Sequence, residues 1–141
     1  MREEDLMTAL HMTVSIIDRK MSMACKAHGL TLGQYAVMQA LYRHGSLTIG
    51  QLREAAISSD GTISVVIKNL EKRELVERTT RPEDHRCTII SLTDGGRRLF
   101  ERVCPDRNRV MEKETGMWSP TDQQQLLALL NKFLDGRTCS P

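Results

Sequence analysis

The stretch from residue 60 to residue 93, DGTISVVIKNLEKRELVERTTRPEDHRCTIISLT, changes its period partway along. In its first part Ile63, Val66, Ile67 and Leu70 recur at the i, i+3, i+4, i+7 spacing of a helix packed on one side, and Ser58-Ser59-Asp60-Gly61 supplies a start signal. After Leu75 the chain reads as extended: Val76-Glu77-Arg78-Thr79-Thr80, a polar run Arg81-Pro82-Glu83-Asp84-His85-Arg86, then Cys87-Thr88-Ile89-Ile90-Ser91-Leu92. Two segments rich in β-branched residues around a proline-bearing charged run predict a β-hairpin with a six-residue tip, Arg81 to Arg86.

Working upstream, Thr48-Ile49-Gly50-Gln51 and Thr31-Leu32-Gly33-Gln34 are capping boxes, in which a threonine hydroxyl and a glutamine amide satisfy each other's backbone donors. The first opens a helix of about two turns with Ile49, Leu52 and Ala56 on one face, and the second opens a helix built on Tyr35, Met38 and Leu41 that ends near His44-Gly45. Before His28-Gly29, residues 5–27 carry Leu6, Leu10, Val14, Ile17, Met21 and Ala24 as one stripe and Met7, Ile16 and Met23 off it. A helix that is apolar on more than one side needs partners on more than one side. Downstream, Thr93-Asp94 starts a helix with Leu99, Phe100, Val103, Val110 and Met111, in which Pro105 is expected to produce a kink. Ser119-Pro120-Thr121-Asp122 starts a last helix carrying Leu126, Leu127, Leu129, Leu130, Phe133 and Leu134.

Helix, helix, short helix, turn, helix and two-stranded hairpin is the order of a winged helix-turn-helix, mainly α with a small β-hairpin wing. With Ile63, Val66, Ile67 and Leu70 inward, rotation by about 100° per residue turns Gly61, Val65, Lys68 and Lys72 outward, with Thr62, Ser64 and Asn69 at the edges. Hydroxyls, a small apolar side chain and lysines on one helix face suit DNA base edges and phosphates, and the helix N-terminus adds backbone donors for a phosphate near Gly61 and Thr62.

From about Leu30 to Gly96 the sequence resembles the multiple antibiotic resistance regulator (MarR) family. The residues carrying the resemblance are Leu30-Thr31-Leu32-Gly33-Gln34-Tyr35, Asp60-Gly61-Thr62-Ile63-Ser64, Leu70-Glu71-Lys72, and above all Asp84-His85-Arg86 running into Ile90-Ser91-Leu92-Thr93. The resemblance implies one MarR-type domain over 1–141, with a winged lobe over about 31–93 and dimerisation helices over 1–28 and 94–141. It implies a homodimer on double-stranded DNA at a pseudo-palindromic operator, repressing transcription until a small apolar or aromatic effector, or an oxidant, releases it. Arg86 would enter the minor groove, Asp84 would steady it, and Arg81 would meet a phosphate, so the expected DNA-contact set is Ser59, Gly61, Thr62, Ser64, Val65, Lys68, Arg81, Asp84 and Arg86. Glu74 departs from the family, which commonly has a glycine there to end the recognition helix in a left-handed turn. The Asp60-Gly61-Thr62-Ile63-Ser64 stretch and the Gln34-Tyr35 pair are similar to the organic-hydroperoxide-sensing branch, but that branch's reactive cysteine falls near Met7 here, so its sensor has no counterpart at that position.

Composition sets the limits around this reading. The 141 residues amount to one domain, 40% hydrophobic and 27% charged, which excludes a large multi-domain enzyme and a disordered chain. A net charge of +2 is too small to signal nucleic-acid binding by itself, so the case rests on where the charges lie. So short a chain has little interior for both terminal helices, which predicts that they form a two-fold interface. Cys25, Cys87, Cys104 and Cys139 have no zinc or redox spacing, and reduced thiols in a cytoplasmic protein with no metal, cofactor or membrane span are expected. Two alternatives share the fold: a sensor, metal-based through Cys25 with His28 and His85 with Cys87 or thiol-based through Cys25, Cys104 or Cys139, and a winged-helix interaction module that leaves DNA alone. No nucleophile–base pair or phosphate loop points to an enzyme. The methionines of the first two helices, Met7, Met12, Met21, Met23 and Met38, suit a core or an adaptable effector pocket.

Overall fold

The computed structural model describes residues 2–56, 62–81 and 83–138. Among them the chain runs α1 (Glu3–Lys26), α2 (Leu32–His44), β1 (Leu47–Thr48), α3 (Ile49–Ala55), α4 (Ile63–Lys72), β2 (Val76–Arg81), β3 (Asp84–Leu92), α5 (Asp94–Glu114) and α6 (Pro120–Thr138). The start signals act as the sequence predicts. Thr31 Oγ1 accepts from the Gln34 amide at 3.1 Å while Gln34 Oε1 accepts from the Thr31 amide at 3.0 Å. Thr48 and Gln51 repeat the pattern, and Ser119 and Asp122 do the same at the head of α6.

The core gathers around α2, whose Tyr35, Val37, Met38 and Leu41 are buried against Leu52 of α3, Ile67 and Leu70 of α4, Ile90 of β3, and Phe100 and Val103 of α5. Phe100 stacks on Tyr35 at 5.2 Å between ring centroids and meets Tyr42 at 4.5 Å. The three strands lie antiparallel in the order β1-β3-β2, with Leu47 opposite Ile90 and Val76 opposite Leu92. Helix α5 runs as one element through Pro105.

Two features differ from the sequence-based expectation. Leu47–Thr48 is a strand, because the two residues after the α2 corner pair with Ile90 and Ile89. Strand pairing also enters the expected six-residue tip: Arg81 lies opposite Asp84 after a register irregularity between Thr80 and Arg81. A bulge takes up the three residues that β3 carries in excess between Asp84 and Thr88 and lets the ladder continue past a polar run that otherwise reads as loop.

The ends of the chain behave differently from its middle. Of the α1 stripe only Met21 is buried, next to Cys25, which lies outside the stripe, whereas Leu6, Leu10 and Val14 stay exposed together with Met7, Met12, Ile16 and Met23. Helix α6 leaves Leu127, Leu129, Leu130, Phe133 and Leu134 exposed. Within one chain these apolar faces are unpartnered. No helix among the described residues is long and apolar enough to cross a membrane.

Candidate nucleic-acid interface

Helix α4 is amphipathic as its spacing dictates. Val66, Ile67 and Leu70 are buried, and Thr62, Ser64, Lys68, Asn69 and Lys72 are exposed. Val65, a large apolar side chain that would normally be covered, is 56% exposed on the same face. Thr62, Ser64, Val65 and Lys68 therefore share one outward surface. Ser59 and Gly61 lie outside the described residues. The backbones of Arg81, Asp84 and Arg86 lie at the far end of the wing, in β2 and β3, while their side chains lie outside the described part of the structure.

Thr62 precedes α4 in extended conformation, but its side chain makes no capping bond, unlike Thr31, Thr48 and Thr93 at the heads of α2, α3 and α5. The other end of α4 is closed by backbone geometry. Leu75 N–H donates to Leu70 O at 3.0 Å and Glu74 N–H donates to Glu71 O at 2.9 Å, the two bonds of a Schellman corner. Glu74 occupies its left-handed position with φ of 57°. The corner thus forms without the glycine that usually fills it, at a steric cost to the Glu74 backbone.

Three contacts invisible to local sequence patterns orient this surface. Arg78 on β2 donates through Nε at 3.1 Å and Nη2 at 2.6 Å to Glu71 Oε1 on α4, which ties helix to wing. Thr93 Oγ1 donates to Glu74 O at 2.7 Å, and a Cβ added at Gly96 would fall 2.0 Å from Leu75 O, so α5 starts directly against the α4–β2 corner. Arg73, at the end of α4, donates through Nη1 to Gly29 O at 2.7 Å.

A second group of polar residues sits where α1, α2 and α5 meet. His28 Nε2 lies 2.6 Å from Asp106 Oδ2, and Arg109 pairs with the other oxygen of the same carboxylate. The hydrogen bond from His28 is the main reason the Asp106 carboxyl is held below the usual carboxylate range. Burial pushes the Tyr35 hydroxyl up to about 12, against the opposing pull of Arg107, whose guanidinium lies 5.3 Å from the ring. Cys25 is fully buried, and burial raises its thiol above the ordinary value despite Arg107. Such a thiol is poor in thiolate. His28 is engaged by Asp106, and among the described residues no group of three or more His, Cys, Asp or Glu could hold a metal ion.

Comparison with known proteins agrees with this arrangement. A family model described as the MarR family matches residues 30–88. The transcriptional repressor NicR of Pseudomonas putida is 30% identical over 106 residues, covering 75% of this chain and 67% of NicR. Among solved structures, a mutant MarR of Escherichia coli complexed with operator DNA superposes with a TM-score of 0.83 at 22% identity, covering 92% of this chain and 94% of that one. BpsR of Bordetella bronchiseptica, whose DNA binding is regulated by 6-hydroxynicotinic acid, gives a TM-score of 0.83 at 23% identity over 92% of this chain and 98% of that one. The winged lobe, its helical flanks and a relative at this identity and coverage agree: the chain belongs to the MarR family of transcriptional regulators.

Proposed function

We propose that this protein is a homodimeric, cytoplasmic repressor that binds a pseudo-palindromic operator and is released by a small apolar or aromatic effector. Residues 31–93 act as the DNA-binding lobe, and residues 1–28 and 94–141 act as dimerisation helices of the same single domain. Helix α4 enters the major groove with Thr62, Ser64, Val65 and Lys68, joined by Ser59 and Gly61 at its approach. Arg86 on the wing enters the minor groove, Asp84 steadies it, and Arg81 meets a phosphate. The work is binding and release, without catalysis.

The observation that carries this proposal is the outward face of α4: Val65 is 56% exposed among hydroxyl and lysine side chains, and the Glu71–Arg78 pair fixes the wing beside it. An exposed valine flanked by polar groups suits contact with a thymine methyl, with hydroxyls and lysine free for base edges or phosphates. Dimerisation is supported by the apolar faces left open on α1 and α6. The family's effector-controlled members support the release step.

Selection of bound duplexes from random oligonucleotides by the whole chain tests the proposal. It should enrich an inverted repeat whose half-sites lie about one helical turn apart. Recovery of unrelated sequences, or of none, would reject sequence-specific DNA binding.

A further inference from the structure

The ends of α1 and α4 are built alike and touch. At α1, Leu30 N–H donates to Cys25 O at 3.0 Å and Gly29 N–H to Lys26 O at 3.0 Å, with Gly29 left-handed at φ of 75°. Leu75, Glu74, Leu70 and Glu71 repeat that scheme at the end of α4. Helix-terminal carbonyls commonly face solvent, yet the carbonyl of Gly29 accepts a charge-assisted hydrogen bond from Arg73, the last residue before the second corner. The residue before Gly29 is His28, which is bonded to Asp106 of α5. One short path therefore runs from α5 through His28 and Gly29 to Arg73 at the end of the recognition helix.

We propose that Arg73 is a positioning residue for DNA binding: its bond to the Gly29 carbonyl sets the orientation of α4 relative to α1, and the His28–Asp106 pair holds the receiving corner in place. The inference rests on the DNA-binding role argued above. Arg73 acts through the protein backbone and touches no phosphate. Movement of α5 relative to α1 strains the His28–Asp106 contact, shifts Gly29, and reaches the recognition helix through a single guanidinium. The arrangement suits a long cationic side chain, because the contact is a single charge-assisted hydrogen bond from Arg73 Nη1 to the Gly29 carbonyl.

The experiment combines Arg73→Gln, Arg73→Lys, Asp106→Asn and the Arg73→Gln/Asp106→Asn double variant in the whole chain. Affinity for the selected duplex is measured over a range of salt, with thermal melts to confirm folding. Arg73→Gln should weaken binding about tenfold with an unchanged salt slope, and Arg73→Lys, which keeps a cationic donor, should recover most of the loss. Asp106→Asn should weaken binding about threefold alone and add little to Arg73→Gln, because both act on one corner. A salt slope reduced by about one would make Arg73 a phosphate contact and overturn the proposal, as would losses that multiply independently. Hydrogen exchange of the Glu74 and Leu75 amides in the DNA-free protein separates failure of this proposal from failure of the DNA-binding role. Those amides should exchange about tenfold faster in Arg73→Gln; equal exchange with undiminished DNA affinity overturns the positioning role of Arg73 alone, whereas faster exchange in a protein that binds no DNA overturns the DNA-binding role.

Discussion

Helices α2 and α6 are both rich in apolar residues, yet one is finished and the other is not. On α2, Gly33, Tyr35, Val37, Met38, Ala40 and Leu41 are all buried within a single chain. On α6, Leu129 is 66% exposed and Phe133 61%, and Leu6 of α1 is 53% exposed. Full burial of such a side chain stabilises by about 1.5–3 kcal/mol, so the winged lobe has gained its hydrophobic stabilisation alone while the terminal helices have not. The difference separates two jobs. On the proposed function, the lobe needs a fixed internal geometry to present α4 and the wing, and the open apolar faces of α1 and α6 are the ones a second chain would cover.

The largest effect should come from breaking the unfinished half. Leu130→Glu together with Phe133→Glu puts charges where the proposed interface requires apolar contact, and dimer affinity should fall by at least about 1000-fold. Light scattering should then give one chain where the wild type gives two, with the far-ultraviolet signal of the lobe retained. A wild-type monomer at the same concentration would break the comparison outright.

Next in size is a cut into the finished half. Ile67 is fully buried among α2, α3 and the wing, and Ile67→Ala should lower unfolding stability by about 2–5 kcal/mol in urea titration. Little change there would mean that the lobe depends on the partner chain as much as the terminal helices do. The smallest effect sharpens the comparison inside the lobe itself, between the two matching corners. Gly29 accepts φ of 75° freely, whereas Glu74 holds φ of 57° against its own Cβ. Glu74→Gly should therefore raise stability by about 0.5–1 kcal/mol, while Gly29→Ala should lower it by a similar amount, both read from thermal or urea midpoints.

Much of this fold is legible because its determinants are local. Thr31 with Gln34, Thr48 with Gln51 and Ser119 with Asp122 close capping boxes over three residues, and the change of period after Leu75 marks where helix gives way to strand. The exposed set on α4 likewise follows from helical rotation once Val66, Ile67 and Leu70 are assigned inward. What escapes is non-local. Strand β1 has two residues, too few for an alternation to register, and it exists only because Ile89 and Ile90 are there to pair with it. Pro82 and its charged neighbours read as loop, yet the partner strand draws Arg81 opposite Asp84. The Arg73–Gly29 and His28–Asp106 contacts join residues 44 and 78 positions apart and leave no periodic trace. Even the departure at Glu74 marks a position whose left-handed geometry is kept while its residue type has changed.

The central claim is that the outward face of α4 and the wing tip together hold DNA. Fluorescence anisotropy of the selected duplex at one fixed salt concentration, comparing wild type with Lys68→Ala and Arg86→Ala, tests it most directly. Each substitution should cost about 1–3 kcal/mol, a loss on the order of tenfold to a hundredfold in affinity, with the thermal midpoint unchanged. Equal binding by all three proteins would contradict the claim.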